Sequence, residues 1–342
     1  MAKNEKSEIV PKRFPITDLI WIIIGGRKVQ LLFLLMFILI FPFLAAFLKE
    51  FNKIVESRKQ GNPDYNWPSY EDLWLMAKAL AVLVLVQNFM RFTLLSSTTK
   101  LVSQRYSEQE RQEKAKRQID CIFKTGYFVF SVCFAYYVAK DSYFLPKSLG
   151  GKGDVKQMFK DFPYQGTEEF PLIREYLMVQ LAYHTNSFIV HVLSKPRNDF
   201  IEMLLHHSMT VFLIGLAYYM NYVTMSLLVL FTHDISDMFV YFTRVFVDTE
   251  FKKATLASYA LLMVSWAYTR LVIFPVELIA TATYFNPVYE DIHGMWLLGG
   301  MLHFLLVLHF YWFYLLIKMG MRFATKGKVQ DIQHKITSSN KN

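Results

Sequence analysis

Two groups of ionisable side chains lie in a stretch of sequence that is otherwise apolar enough for a membrane. His206 and His207 form the first group, and His233, Asp234 and Asp237 form the second. An aspartate at the middle of a bilayer helix costs on the order of 2.5–3.5 kcal/mol, so these carboxylates need partners or water. An imidazole can act as a nucleophile or general base, and a carboxylate can fix its tautomer and stabilise its protonated form. These residue types therefore indicate acyl transfer.

The spacing of the two groups predicts that they meet between two paired helices. If the chain turns near Asn221–Val223, antiparallel pairing brings the two histidines within about one turn of the level of Asp237. His233 and Asp237 are four residues apart, and Asp234 and Asp237 are three apart, so all three are expected on one helix face. Thr210 is expected on the same face as the histidine pair. The sequence therefore predicts one convergent polar site.

Two other interpretations of this histidine–aspartate site compete with acyl transfer. Polar contacts of this kind can simply tie two membrane helices together. Three histidines and an aspartate are also legitimate metal ligands. Membrane di-iron enzymes need H-x-x-H-H boxes, whereas Met203 and Leu204 stand where the outer histidine would fall. We therefore expect no metal in the site.

The composition of the chain points to a polytopic membrane protein. Of its 342 residues, 54% are hydrophobic and 17% aromatic, and the mean hydropathy is +0.24. These values are too apolar for a soluble protein of this size. A spanning helix needs roughly 20 mainly apolar residues, and eight stretches qualify. They are Val29–Leu48, Leu73–Leu95, Ile122–Ala139, Leu172–Leu193, Met203–Tyr222, Thr224–Val247, Thr255–Ala280 and Met295–Met319.

The basic residues follow the connections between these predicted spans. The net charge is +9, and the excess of Lys and Arg in alternate connections predicts that both termini are cytoplasmic. We interpret the charge as topology and expect no nucleic-acid partner. The predicted organisation is a cytoplasmic segment over residues 1–28, two spans within 29–116, a helical bundle over 117–319 and a basic cytoplasmic tail over 320–342.

Several smaller features carry expectations of their own. Pro275 lies between Arg270 and Glu277, which predicts a kinked polar helix facing the site, with a structural ion pair as the competing interpretation. The charged run Ser107–Arg117 is expected to be a solvated loop or helix face, with an approach surface for an anionic ligand as the functional alternative. The stretch Gly150–Gly166 is expected to be a solvent-exposed linker. His184 and His191 are expected to be polar packing or cavity-lining residues.

The order of the polar residues resembles the ceramide synthase family, a branch of the TLC-domain proteins. The match is dense between residues 199 and 237, and two further blocks, Thr269–Pro275 and Leu308–Leu316, agree with it. The resemblance implies an all-α polytopic membrane protein of about eight transmembrane helices, in which the TLC-domain bundle encloses a polar site. The matching residues are Asp199, Phe200, His206, His207, Thr210, Ala217, Tyr218, Asn221, Leu228, Val229, His233, Asp234, Ser236 and Asp237.

The resemblance implies a reaction as well as a fold. A fatty acyl group would pass from acyl-CoA, a co-substrate rather than a bound cofactor, to the amine of a sphingoid base, giving a ceramide. One histidine of the pair His206 and His207 would carry or activate the acyl group, supported by His233, Asp234 and Asp237. The expected location is the endoplasmic reticulum membrane, with the mitochondrial inner membrane as the alternative. The residues expected to contact substrate are Thr210, Asn221, Ser236, Arg270, Lys195, Arg197 and Arg244.

The chain departs from the family pattern at a few positions. Thr224 and Ser226 stand where many members have Arg-x-Gly, and Val240 and Tyr241 stand where many have a Leu-Glu pair. These departures support a competing hypothesis, in which the chain is an accessory or structural subunit of a larger membrane complex. Membrane lipids, and a homo- or hetero-oligomer, are the other partners that we expect.

Overall fold

The computed structural model describes residues 48–165, 170–194, 200–284 and 294–326. The chain divides into two compact units, Met1–Ile54 and Val55–Asn342. Within the described residues the chain is helical and forms no β-strand. The helices are α1 (residues 48–61), α2 (Leu73–Leu101), α3 (Glu108–Ala139), α4 (Ile173–Val192), α5 (Phe200–Tyr219), α6 (Val223–Phe246), α7 (Lys252–Tyr284) and α8 (Gly294–Lys326).

Six of these helices, α2, α3, α5, α6, α7 and α8, are long and apolar enough to cross a membrane. The protein is therefore a polytopic helical membrane protein, and the predicted fold class is confirmed. The weakest predicted span, Leu172–Leu193, forms the helix α4 but is not among the six. The first predicted span, Val29–Leu48, lies outside the described residues apart from Leu48, as do residues 1–28 and 327–342.

Helix α6 is the centre of the bundle. Its first ten residues, Val223–Thr232, are all buried, and the helix packs against α3, α4, α5 and α7. Helix α3 runs antiparallel to it, because Lys114 pairs with Asp248 at one end of the contact and Ser131 meets Asp234 further along. We call the end of the bundle where α3 begins and α6 ends the Asp248 end.

Local sequence explains where α3 begins. The Ser107 hydroxyl accepts a hydrogen bond from the Glu110 backbone N–H at 3.4 Å, and the Glu110 carboxylate accepts one from the Ser107 N–H at 3.0 Å. This reciprocal arrangement is a capping box, which satisfies backbone donors that the first turn leaves open. The charged run Ser107–Arg117 thus forms the first turns of α3, and Lys116 and Arg117 are exposed there. The prediction of a solvated helix face is confirmed.

Helix α7 is irregular at its centre. Residues Ala267–Ile279 form a π-helical stretch that contains Pro275, and such wide turns in a helix are commonly found at functional sites. Proline removes a backbone donor, which is consistent with the loss of regular hydrogen bonding. The stretch presents Arg270 to α6, whereas Glu277 accepts a hydrogen bond from the Ser148 hydroxyl at 2.7 Å. Arg270 and Glu277 therefore have different partners, and the structural ion pair that Arg270 forms is with Asp237 on α6.

The opposite end of the bundle, where α5 turns into α6 at residues 220–222, is the Asn221 end. The segment predicted to be a solvent linker packs there, because its apolar side chains Val155, Met158 and Phe159 are buried. The Thr224 hydroxyl donates to the Met158 carbonyl at 2.6 Å. The linker prediction is wrong: the glycines and lysines of this segment obscured its buried residues, and the departure at Thr224 has a structural role.

Candidate active site

A cavity lies between α4, α5, α6 and α8. The empty space among its lining atoms is about 650 Å³, part of which is open to the outside. One portion of the wall is polar and carries His184, His206, His233 and Asp237, with Thr210 beside them. Most of the remaining wall is apolar. Its side chains are Leu213, Ile214, Ala217, Met225, Val229, Leu230, Leu298, Leu302 and Leu305, together with Ser226.

Several imidazole nitrogens in the polar portion have no hydrogen-bond partner in the described part of the chain. These are both ring nitrogens of His184, Nδ1 of His206 and Nε2 of His233. Buried polar groups in native proteins are nearly always paired. A set of unpaired buried nitrogens around one cavity therefore points to a ligand or water that satisfies them.

The tautomer of His233 follows from its hydrogen bond. Its Nδ1 lies 2.6 Å from the backbone carbonyl of Val229, one turn earlier on α6. Because a carbonyl oxygen only accepts, Nδ1 must carry the proton. In the neutral ring Nε2 is therefore the basic nitrogen, and it has no hydrogen-bond partner among the described residues. His233 is thus in the form that can accept a proton from a bound substrate.

The two adjacent histidines of α5 occupy different surroundings. His206 lines the cavity, and its ring is 5.1 Å from that of Trp312 on α8. His207 is not a lining residue, and its ring lies 5.5 Å from that of His191. The structure therefore presents His206 to the cavity, a distinction that sequence spacing could not make.

Asp237 is held by a buried cation. Arg270 donates from Nη2 to the Asp237 carboxylate at 2.6 Å and from Nε to the Ser236 hydroxyl at 2.6 Å. Its Nη1 donates to Nε2 of His309 at 3.1 Å, and its guanidinium lies 4.4 Å from the Trp266 ring centroid. Arg270 is 1% exposed. A guanidinium so deeply buried is stabilised by its carboxylate partner, and it fixes that partner in the cavity wall.

Asp234 turns away from the cavity. It accepts hydrogen bonds from Ser131 on α3 at 2.5 Å and from Gln180 on α4. Gln180 also donates to the Tyr176 hydroxyl at 2.7 Å and accepts from the Tyr127 hydroxyl at 2.9 Å. The expectation that His233, Asp234 and Asp237 share one face is therefore wrong for Asp234, which anchors α6 to α3 and α4 through uncharged donors.

The residues predicted to contact substrate are dispersed. Thr210 lines the cavity, and its hydroxyl donates to the His206 carbonyl at 2.8 Å. Ser236 contacts Arg270 rather than the cavity. Asn221 lies at the Asn221 end with φ +63°, where its amide donates to the Pro163 carbonyl at 2.6 Å. Arg244 lies beyond Asp237 towards the Asp248 end. Lys195 and Arg197 lie outside the described residues.

Sequence reasoning missed His309 and Gln180. His309 is fully buried and pairs with Arg270, and Gln180 is the centre of the Asp234 network. The available signal was a polar residue flanked by apolar ones within a helix, which each of the two shares with other residues of α4 and α8. Among the described residues, no three His, Cys, Asp or Glu side chains converge as a metal site.

Comparison with known proteins identifies a family and several relatives. Residues 117–318, more than half of the chain, match the TLC domain family TRAM_LAG1_CLN8. Ceramide synthase hyl-1 of Caenorhabditis elegans is 26% identical over 233 residues, covering 64% of this chain and 61% of hyl-1. Ceramide synthase hyl-2 of the same organism is 24% identical over 302 residues, covering 83% of this chain and 87% of hyl-2.

A plant relative has a similar degree of identity. Ceramide synthase LOH2 of Arabidopsis thaliana is 30% identical over 190 residues, covering 53% of this chain and 63% of LOH2. This chain therefore spans about three fifths of the length of hyl-1 and LOH2 and more of hyl-2. The hairpin of α5 and α6 and the π-helical stretch of α7 lie within the segment that matches the TLC domain.

Proposed function

Because the chain belongs to the TLC-domain family of the ceramide synthases, we propose that it transfers a fatty acyl group from acyl-CoA to the amine of a sphingoid base. The observation that carries this proposal is the cavity between α4, α5, α6 and α8. One part of its wall has imidazole nitrogens without a partner among the described residues, and the rest of the wall is apolar. An acyl chain fits the apolar portion, because its burial there is favourable. The thioester carbonyl then lies at the histidines.

His206 is the proposed group that carries or activates the acyl group, because it is the member of the histidine pair that lines the cavity. His233 is the proposed base, since its Nε2 is the unprotonated nitrogen of the neutral ring. In the overall step the C–S bond of the thioester breaks and the amide C–N bond forms. The amine loses one proton through His233, and coenzyme A leaves as the thiol. Asp237, held by Arg270, stabilises positive charge on the neighbouring imidazoles.

Asp234 is proposed as a positioning residue. Its hydrogen bonds to α3 and α4 fix the rotation of α6, and that rotation sets the direction of His233. The proposed setting is the endoplasmic reticulum membrane with both termini in the cytosol, as the distribution of Lys and Arg predicts. Acyl-CoA then approaches from the Asp248 end of the bundle.

The proposal is tested with the purified full chain in proteoliposomes. Amide product formed from acyl-CoA and a long-chain base is measured by mass spectrometry. His206→Ala is expected to reduce turnover at least about a hundredfold, the range typical of a lost acid–base or nucleophilic group. His303→Ala is the matched control, because His303 is an exposed histidine on α8. Normal turnover in a variant with both His206 and His207 replaced would overturn the proposal.

The mass of the intact protein distinguishes the two roles proposed for His206. A mass increase equal to one acyl group after exposure to acyl-CoA, absent in His206→Ala, indicates that the histidine carries the acyl group. Turnover without such an increase indicates that it activates the thioester instead.

The second candidate function is an accessory subunit of a membrane complex. Helix α2 favours it, because within this fully described helix only Gln87 and Thr98 are buried, while Trp74, Phe89 and Phe92 are exposed. Such a surface suits a neighbouring subunit as well as lipid. Stoichiometric co-purification with other proteins, combined with no acyl transfer, would favour this function.

A further inference from the structure

Helix α3 carries a lysine near the start of its apolar segment, at the third residue of the predicted span Ile122–Ala139. Lys124 is half-buried, and its ammonium lies 3.5 Å from the Tyr241 hydroxyl and 4.8 Å from the centroid of the Tyr241 ring. The ion pairs that α3 forms with the described residues involve Arg111, Lys114 and Asp120, not Lys124. A charge within a membrane span is costly and indicates a functional site with an opposite charge to bind.

A second cation approaches the same phenol ring. The guanidinium of Arg244 on α6 lies 5.8 Å from the centroid of Tyr241. Lys124 and Arg244 also both interact electrostatically with the Asp237 carboxylate in the cavity wall. Lys124 is within electrostatic reach of His184 and His207. Both cations therefore lie on the side of the bundle interior that holds Asp237, and Lys124 is the nearer of the two to the histidines.

The depth of Tyr241 and Arg244 in the bundle follows from their positions on α6. At 1.5 Å per residue, Tyr241 lies about 6 Å from Asp237 and about 12 Å from His233 along the helix axis. Arg244 is about 16 Å from His233 by the same measure. The group lies between the polar portion of the cavity and the Asp248 end. A donor whose thioester is at the histidines would extend its pantetheine arm along this path, with its phosphates at the far end of the arm.

We propose that Lys124 and Arg244, with the Tyr241 hydroxyl between them, bind a phosphate group of the acyl donor. Lysine binds phosphate as a point charge, and arginine can offer a two-pronged hydrogen bond. The Tyr241 hydroxyl, which accepts from Lys124, retains its own proton to donate to a phosphate oxygen. The identity of the donor rests on the proposed function. The phosphate chemistry rests on the geometry of these three side chains.

The residue type at position 241 affects how strongly the proposed site binds phosphate. The hydrogen-bond partner of Lys124 at position 241 is neutral, and Lys124 forms no ion pair with a carboxylate of the described residues, which leaves it able to bind an anionic ligand. A carboxylate at the same position would pair with Lys124 and oppose an incoming phosphate. Tyr241→Glu is therefore expected to weaken the binding of coenzyme A to this chain.

The test uses the purified full chain in detergent micelles and two kinds of measurement. The first is direct titration with coenzyme A, which contains the phosphates but no acyl group. The second is the KM for acyl-CoA compared with that for S-acyl pantetheine, which lacks them. Lys124→Gln is expected to weaken coenzyme A binding about tenfold to a hundredfold, the range for one charged hydrogen bond. The KM for S-acyl pantetheine should be unchanged.

Two variants control for folding and for general charge. Lys124→Arg keeps the charge and is expected to retain coenzyme A binding within about threefold, well below the effect of a lost charged contact. Lys116→Gln removes one positive charge from an exposed position on the same helix and is expected to leave both measurements unchanged. If Lys116→Gln weakens binding as much as Lys124→Gln does, overall charge rather than a built site is responsible and the proposal is wrong.

The remaining outcomes separate this proposal from the proposed function. Equal loss with acyl-CoA and S-acyl pantetheine would mean that Lys124 acts at the reacting atoms, which overturns the phosphate site. Coenzyme A binding that depends on Lys124, without any amide formation, would support the phosphate site and count against the transferase. Lys124-dependent binding to phosphatidate vesicles but not to coenzyme A would assign the phosphate to a lipid headgroup. A wild-type chain that binds neither probe overturns the proposal.

Discussion

Replacement of Asp237 by alanine is expected to destabilise the protein more than replacement of its partner Arg270 by methionine. The two side chains form one ion pair at 2.6 Å, but their exposures differ: 2% for the arginine side chain and 22% for the aspartate. Asp237 faces the cavity, where water can reach it once the arginine is gone. Arg270 has no such access, so its charge stays buried when the aspartate is removed.

The expected magnitudes follow from this asymmetry. Removal of one partner from a buried ion pair costs about 3–5 kcal/mol, largely because the other charge stays uncompensated. In Asp237→Ala the remaining acceptors of Arg270 are the Ser236 hydroxyl, Nε2 of His309 and the His233 carbonyl, none of which is a carboxylate. We therefore expect the full range for Asp237→Ala and about 1–3 kcal/mol for Arg270→Met, the cost of an unpaired but hydratable partner.

The assay is reversible unfolding of the purified protein in mixed micelles, carried out on the two single variants and the double variant. Loss of both charges removes the uncompensated cation, so the double variant should be more stable than Asp237→Ala by about 0.5–3 kcal/mol. Glu108→Ala, which breaks the exposed pair with Arg111, is the control and should cost less than about 1 kcal/mol. Additive single effects, or a larger cost for Arg270→Met than for Asp237→Ala, would refute the reasoning.

Three further outcomes are expected. Gln180→Leu removes a hydrogen-bond donor to Asp234 and the acceptor of the Tyr127 hydroxyl, so thermal unfolding should show a free energy of unfolding lower by about 1–3 kcal/mol. Tyr127→Phe removes one hydrogen bond only and should lower it by less; equal effects would contradict a network centred on Gln180. Asn221→Ala should be less stable than Asn221→Gly by about 1 kcal/mol, because residue 221 has φ +63° and alanine is strained in that conformation. An alanine variant more stable than the glycine variant would count against that strain. Dialysis against a chelator should leave amide formation unchanged, because Met203 and Leu204 stand where an H-x-x-H-H iron box needs its outer histidine; a loss restored by zinc or iron would contradict this.

The hairpin of α5 and α6 was the part of the site that the sequence could predict. His233 and Asp237 are separated by about 40° around a helix of 3.6 residues per turn, so any fold that buries one beside the cavity brings the other with it. Asp234 is about 100° from His233 by the same geometry. Because α6 is surrounded by neighbouring helices, that rotation is enough to direct Asp234 to Ser131 and Gln180 instead.

The sequence predicted that the Pro275 region of α7 is irregular and presents Arg270 to the site, but the partners of Arg270 and the role of His309 could not be predicted from spacing. Arg270 lies in a π-helical stretch, and a wide turn shifts the register that helical periodicity assumes. His309 is one histidine in an apolar helix, and its significance depends on a contact with Arg270 across 39 positions of sequence. Pattern analysis identifies such residues as unusual. Only the packing of α7 against α6 and α8 shows which partner each one has.

The polar side chains of α6 point to different neighbours on different faces of the helix. Asp237 and His233 face the cavity, Ser236 faces Arg270, and Asp234 faces α3 and α4. A shift of the helix by one residue would rotate each of these groups by about 100° and break all of their contacts at once. The hydrogen bonds of Asp234 and the contacts of Arg270 with Ser236 and Asp237 therefore both fix the rotation of α6 about its axis. That rotation determines whether the imidazole of His233 faces the cavity.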